Sequence, residues 1–279
     1  MNPEELTKAL SDDLYKYLKK RSDNKGEYYK NKNVHVSGLD SCIRAVVMEA
    51  FDFPKKELTL AQLLMFEIAD FIHRLMLNWA SQSKNFKLIG GERDLSEGLP
   101  EGISGKCDII LEHAKDNLKI LLDTKTAMPA AFKTYSDYLV KESHKLQGAS
   151  YKLALENLGE AVDLVIFTYF DRGGTNSPIY ALLPEIPEFI LKDKFNLYRR
   201  AILDYEKDKL LPDKEPPIFT KKGNKIMVKK SWVCDYCAFC SISCEGYPEL
   251  DRKKEIEADM NNPELVLAYQ KAQEKDLSL

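Results

Sequence analysis

The chain has 279 residues, 44 % hydrophobic and 30 % charged, which is ordinary globular usage and excludes disordered and fibrous classes. No apolar run reaches the ~18 residues of a membrane span, and the opening MNPEELTKAL is too polar for a signal peptide, so a cytosolic protein is expected. The formal net charge of −3 excludes a uniformly basic nucleic-acid coat but not a local basic groove.

The elements follow from periodicity and breakers. Residues 4–21 carry an apolar stripe through Leu6, Leu10, Leu14, Tyr17 and Leu18, which predicts a helix. A polar linker from Arg21 to Asn33 follows. Cys42 opens a short helix ending near Phe53. Thr59 and Gln62 have the spacing of a capping box, so a long helix is expected from about Leu60 to Ala80. Phe86–Ile89 reads as a strand stopped by Gly90-Gly91. Cys107–Leu111 and Lys119–Lys125 read as two strands joined by a turn. A helix is expected over about Lys141–Leu158, then strands at Leu164–Phe170 and Ile179–Leu183, then a charged helix over about Glu185–Asp208. Pro212, Pro216 and Pro217 introduce a basic stretch. The charged tail beyond Glu249 is expected to be helical or partly disordered. Helices, a meander, then helix and strand again predict an α/β sheet core with a helical N-terminal addition.

Four of the six cysteines, Cys234, Cys237, Cys240 and Cys244, fall within eleven residues. In a reducing compartment this spacing points to a metal or cluster rather than disulfides. A two-cluster ferredoxin needs a second run, and a zinc ribbon needs a second C-x2-C pair; neither is present. A single [4Fe–4S] cluster completed by the distant Cys42 fits better. Cys107, inside a strand, reads as structural.

In GKCDIILEHAKDNLKILLDTK the two apolar runs flank a turn near Lys115-Asp116. Asp108 lies as far before its centre as Asp123 lies after it. A symmetric hairpin would make them cross-strand neighbours, about 4.5–5.5 Å apart at Cβ. Lys125 shares the face of Asp123. Facing like charges destabilise a strand pair, and a divalent Mg²⁺ or Mn²⁺ would offset that. The alternative is two solvent-facing aspartates with a salt-bridging lysine. Gln147 and Tyr151 lie one turn apart on one helix face, and His73 is a polar group on a mostly apolar helix.

From about Val34 to Pro248 the chain resembles the RecB-like branch of the PD-(D/E)XK nuclease superfamily, in particular its iron–sulfur members in CRISPR adaptation, the AddB subunit and phages. The ordered features are Cys42 with Arg44, His73, Gly105 to Asp108, Asp123-Thr124-Lys125, Gln147 with Tyr151, and W-x-C-x2-C from Trp232. The resemblance implies one nuclease domain, with a helical part over 1–80, a core over 81–211, a cluster-binding segment over 212–248 and a charged tail over 249–279. It implies His73, Asp108, Asp123 and the Thr124 carbonyl as ligands of Mg²⁺ or Mn²⁺, and Lys125 as the catalytic lysine. Gln147 and Tyr151 would position the lysine or the DNA backbone. Cys42, Cys234, Cys237 and Cys244 would hold a [4Fe–4S] cluster, with Cys240 as the other choice for the last ligand. Ala69 stands where the family has glycine, and the last cysteine spacing departs from the family's C-x2-C-x5-C.

The expected function is a metal-dependent DNA nuclease, an exonuclease on ends or single strands. The alternative is a non-catalytic module of the same fold that binds DNA or a partner. The expected partners are DNA and proteins of recombination, CRISPR adaptation or phage replication. Lys221, Lys222, Lys225, Lys229 and Lys230, with Phe219 and Trp232, could track a phosphate backbone and stack a base; a solvated charged loop reads equally well.

Overall fold

A computed structural model describes residues 3–26, 32–132, 140–222, 225–231, 233–234, 237–245, 247, 250 and 255–276. The chain divides into two compact units. The first is Met1–Asp40 with Leu58–Arg200, and the second is Ser41–Glu57 with Ala201–Leu279.

The first unit begins with α1 (Pro3–Gly26), followed by β1 (Val34–His35). The helix runs past Arg21, so the expected linker starts later than the polar composition implies. Only Leu18 of its stripe is buried among the side chains described; Leu10, Leu14 and Tyr17 are exposed. The second unit takes the next helix, α2 (Ile43–Ala50), with Cys42 at its N-cap. Then α3 (Leu60–Gln82) starts at Thr59, whose hydroxyl accepts from Gln62 N while Gln62 Oε1 accepts from Thr59 N. This reciprocal bonding satisfies helix-end groups that would otherwise lack partners.

Five strands form the sheet of the first unit: β2 (Phe86–Asp94), β4 (Lys106–His113), β5 (Lys119–Ala127), β6 (Leu164–Asp171) and β7 (Ile179–Leu182), in the order β2-β4-β5-β6-β7. A short β3 (Ile103–Ser104) pairs in parallel with β1. Only β5 and β6 are parallel within the five-stranded sheet. A parallel pair needs a crossover, and α4 (Pro129–Phe132) and α5 (Glu142–Asn157) lie on it. Met76 and Ala80 of α3 pack on Ile109, Leu111, Ile120 and Leu122, with Leu164 and Ile166 beside them. The alternate residues Val165 and Phe167 close on Gly148 of α5. Because strand side chains alternate, α3 and α5 cover opposite faces.

The glycines do not stop β2. It continues to Asp94, with a register shift between Leu88 and Gly90. A Cβ on Gly91 would lie 2.4 Å from Leu77 Cδ1, so the glycine lets α3 approach the strand. After β7, α6 (Glu188–Asp208) runs across the boundary between the units.

In the second unit the basic stretch is not a loop. It forms the hairpin β8 (Ile218–Lys222) and β9 (Lys225–Lys229), and β10 (Ile256–Glu257) pairs with β9. The tail contains α7 (Pro263–Asp276), which the charged-tail reading leaves open. Leu265 and Ala268 of α7 pack with Val228, Tyr247, Leu250 and Ala258. Lysines alternate poorly with apolar residues in KKGNKIMVKK, which hides the strand period; lysine on exposed strands also discourages pairing between molecules.

Candidate active site and cysteine pocket

The hairpin of β4 and β5 pairs Ile109 with Leu122, Ile110 with Leu121 and Leu111 with Ile120. Continued one step, this register sets Asp108 opposite Asp123, as the symmetry of the sequence predicts. Asp108 Oδ2 accepts a 2.7 Å hydrogen bond from Thr124 N. His73 Nδ1, from α3, lies 3.4 Å from the same oxygen. Lys125 Nζ lies 2.6 Å from Asp123 Oδ1 and donates to Gln147 Oε1 at 2.8 Å. Gln147 Nε2 donates to Tyr151 OH, which donates in turn to the Lys106 carbonyl at 2.7 Å. The resulting chain of partners runs from Asp123 through the lysine to the backbone of β4.

The electrostatics follow from burial. Asp123 is 1 % exposed. Burial pushes its carboxyl up to about 6, against the pull of Lys125. The contact with Lys125 is off the line of a hydrogen bond, and neither Asp123 oxygen has an aligned donor. Asp108 is also pushed up by burial, but the bond and charge of His73, with Lys125, hold it below the usual carboxylate range. For His73, burial lowers the imidazole and Asp108 more than restores it. Tyr151 is raised by burial and remains a phenol.

A buried carboxylate without aligned donors, facing a second carboxylate, is a donor set that suits a hard divalent cation. Asp108, Asp123 and the Thr124 carbonyl are oxygen donors, and His73 adds a nitrogen. Among the described residues, no three His, Cys, Asp or Glu side chains stand in a metal-ligating arrangement. Here Lys125 Nζ stands against Asp123 and His73 Nδ1 against Asp108 instead.

Two histidines that the sequence reading did not single out belong to the surroundings of Lys125. Burial and then the charge of Lys125 lower His35; burial, Lys125 and Lys141 lower His144 to about 3. With His73, three of the chain's four histidines respond to Lys125. The signal for His144 was its place three residues before Gln147. Nothing in the local sequence marks His35.

In the second unit Cys42, Cys234, Cys237, Cys240 and Cys244 line one pocket with Arg44, Lys214 and Glu215. All are free thiols. Burial raises the Cys42 thiol and, with Cys240 and Cys42 nearby, pushes Cys234 up to about 12. Cys107 lies in β4, fully buried, and its thiol is likewise pushed up by burial to about 12. The pocket's donors are soft, which suits iron–sulfur or zinc chemistry.

The basic hairpin is partly neutralised within its own unit. Lys222 and Lys229 pair with Glu255, and Lys225 pairs with Glu257. Phe219 packs edge-on against Tyr269. Trp232 lies outside the described residues.

No family model matches the sequence, and no curated protein matches it. Among solved structures, the crystal structure of SSO0001 matches with a TM-score of 0.51 and 18 % identity, over 85 % of this chain and 96 % of that one. This similarity shows a shared fold. An alkaline exonuclease (LHK-Exo) from Laribacter hongkongensis matches with a TM-score of 0.44 and 8 % identity, over 67 % of this chain and 97 % of that one.

Proposed function

We propose that the chain is a metal-dependent DNA nuclease that hydrolyses phosphodiesters from ends or single strands. The observation that carries this reading is the convergence of Asp108, Asp123 and Lys125, with both oxygens of a buried Asp123 lacking aligned donors. Asp108, Asp123, His73 and the Thr124 carbonyl would hold Mg²⁺ or Mn²⁺. A bound ion of this kind polarises a phosphoryl oxygen and makes its water more acidic. Lys125 carries the positive charge that stabilises the phosphate as charge builds on it. Gln147 keeps that ammonium on the strand face, and Tyr151 fixes Gln147 against the Lys106 carbonyl. The buried network gives Lys125 a defined position before substrate arrives.

The cysteine pocket would hold a [4Fe–4S] cluster through Cys42, Cys234, Cys237 and Cys244, with Cys240 beside them. Such a cluster would tie the segment at Cys42 to the C-terminal segment within the second unit.

The test is anaerobic purification, counting of iron and sulfide, and incubation with end-labelled single-stranded DNA and Mn²⁺ or Mg²⁺. Degradation by the wild type and its loss in Asp123→Ala and Lys125→Ala are expected. Unchanged cleavage by either variant would sink the assignment. DNA bound without cutting would favour the non-catalytic module.

A further inference from the structure

Large apolar side chains of α1 and α3 stand open to solvent in the first unit. On α3, Leu64, Ile68, Phe71, Leu75 and Trp79 follow one another at intervals of three or four residues, which is one face of a helix. On α1, Leu10, Leu14 and Tyr17 do the same. All are between 40 % and 65 % exposed. The side of α3 that packs on the sheet carries Met76 and Ala80 instead.

The two stripes adjoin. Arg21 continues the α1 stripe by one turn, with its guanidinium 5.9 Å from the centre of the Tyr17 ring. It donates twice to Glu67, at 3.2 and 3.0 Å, and Glu67 lies one turn from both Leu64 and Phe71. At roughly 80–100 Å² of open surface for each half-exposed side chain, the joined face presents about 600–800 Å² of apolar surface. The largest apolar patches on monomers reach about 300–600 Å², whereas a stable interface takes ~800 Å² from each partner.

We propose that this face is the interface of a symmetric dimer of the chain, with α3 packed antiparallel on α3 of a second copy and α1 flanking each. A two-fold interface needs a surface that complements itself. The α3 stripe meets that condition. Turned end for end about an axis beside Phe71, it sets Leu64 against Trp79 of the second copy and Ile68 against Leu75. The exposed charges of α1 are of both signs, Lys8, Lys16 and Lys20 with Asp12 and Asp13, which suits neither a phosphate backbone nor an anionic membrane. His73 stands two residues from both Phe71 and Leu75, off the stripe, and meets Asp108. Pairing along the stripe therefore does not cover His73, and the dimer does not depend on nuclease activity.

Sedimentation equilibrium of the full chain at micromolar concentrations tests this. The wild type is expected at twice its 32.0 kDa chain mass. Phe71→Glu and Phe71→Lys should each raise the dimer dissociation constant roughly 100-fold or more, with circular dichroism unchanged because the ring is 59 % exposed. An equal mixture of the two variants should recover a dimer, since opposite charges then meet at the axis. Leu182→Glu, on the exposed face of β7, should remain dimeric. A monomeric wild type, a Phe71→Glu protein that stays dimeric, or a mixture that stays monomeric overturns the proposal. A monomeric wild type that floats with phosphatidylserine vesicles, and a Phe71→Glu variant that does not, would give the face to a membrane and overturn it as well.

Discussion

Lys125 and Asp123, two residues apart on β5, meet at 2.6 Å, yet the carboxylate is 1 % exposed and the ammonium side chain 18 %. The acid lies deep and the base lies nearer the opening. An ion pair with this asymmetry leaves the desolvation cost of the acid only partly offset, which is why burial still pushes Asp123 up to about 6. The strand therefore carries a local cost to stability at neutral pH, where Asp123 must ionise.

Asp123→Asn should stabilise the metal-free protein. The folded value of Asp123 lies above its ordinary 3.8, so the folded state holds its proton more tightly than the unfolded one. Stability linked to this group is present below pH ~4 and is lost as pH rises through about 6. The asparagine variant avoids that loss, a gain of about 1–3 kcal/mol at pH 7.5 and a few degrees in Tm. Thermal melts at pH 5 and 7.5 check this. Mn²⁺ should raise the wild-type Tm more at pH 7.5 than at pH 5, and should not raise that of the variant. A variant less stable than wild type at pH 7.5 without metal would contradict the argument.

Tyr151→Phe and Gln147→Ala should separate stability from rate. The phenylalanine leaves the Lys106 carbonyl without its donor in a buried place, costing about 1–2 kcal/mol. The alanine removes the acceptor that holds Lys125 and should slow cleavage roughly 10-fold while DNA binding changes little. Urea melts and single-turnover cleavage on the same preparations distinguish the two effects. A Gln147→Ala enzyme that binds DNA poorly but cleaves at the normal rate would place Gln147 on the substrate rather than on the lysine.

The hairpin geometry was legible because a β-hairpin is local. Its register is set by a short turn and two apolar runs, so Asp108 and Asp123 could be placed opposite each other by counting. The helix face of Gln147 and Tyr151 was legible for the same reason, since a turn of helix brings them together. The path of β2 through Gly90 and Gly91 was not, because what permits it is the close approach of Leu77 from another element. His35 was invisible for the same reason. The β8–β9 hairpin was missed because ion pairs to Glu255 and Glu257, far along the chain, balance lysines that locally read as a loop.

The cysteines should divide into two classes by chemistry. Cys107→Ser is expected to leave iron, sulfide and colour unchanged, because that thiol is in the sheet of the first unit. If the pocket holds the proposed [4Fe–4S] cluster, Cys42→Ser and Cys234→Ser should each lose it and make the second unit more sensitive to protease, since metal binding and folding are coupled. Iron analysis and timed proteolysis after anaerobic purification test both statements. Retention of a full iron count in Cys42→Ser would remove this residue from the ligand set.

Glu255→Gln should strengthen DNA binding if the β8–β9 hairpin follows the backbone. Lys222 lies 2.5 Å and Lys229 lies 3.7 Å from Glu255, and Thr220 donates to the same carboxylate. Ion pairs at such exposed places are weak, so a phosphate can compete for the lysines but must displace an acid to do so. Removing the acid frees two cations without adding any. Affinity for single-stranded DNA at low salt should rise roughly two- to five-fold, and the plot of log affinity against log salt should become steeper by about 0.7 for each additional phosphate neutralised. Fluorescence anisotropy at four salt concentrations gives both quantities. An unchanged slope would mean that the lysines serve only the packing of their own sheet.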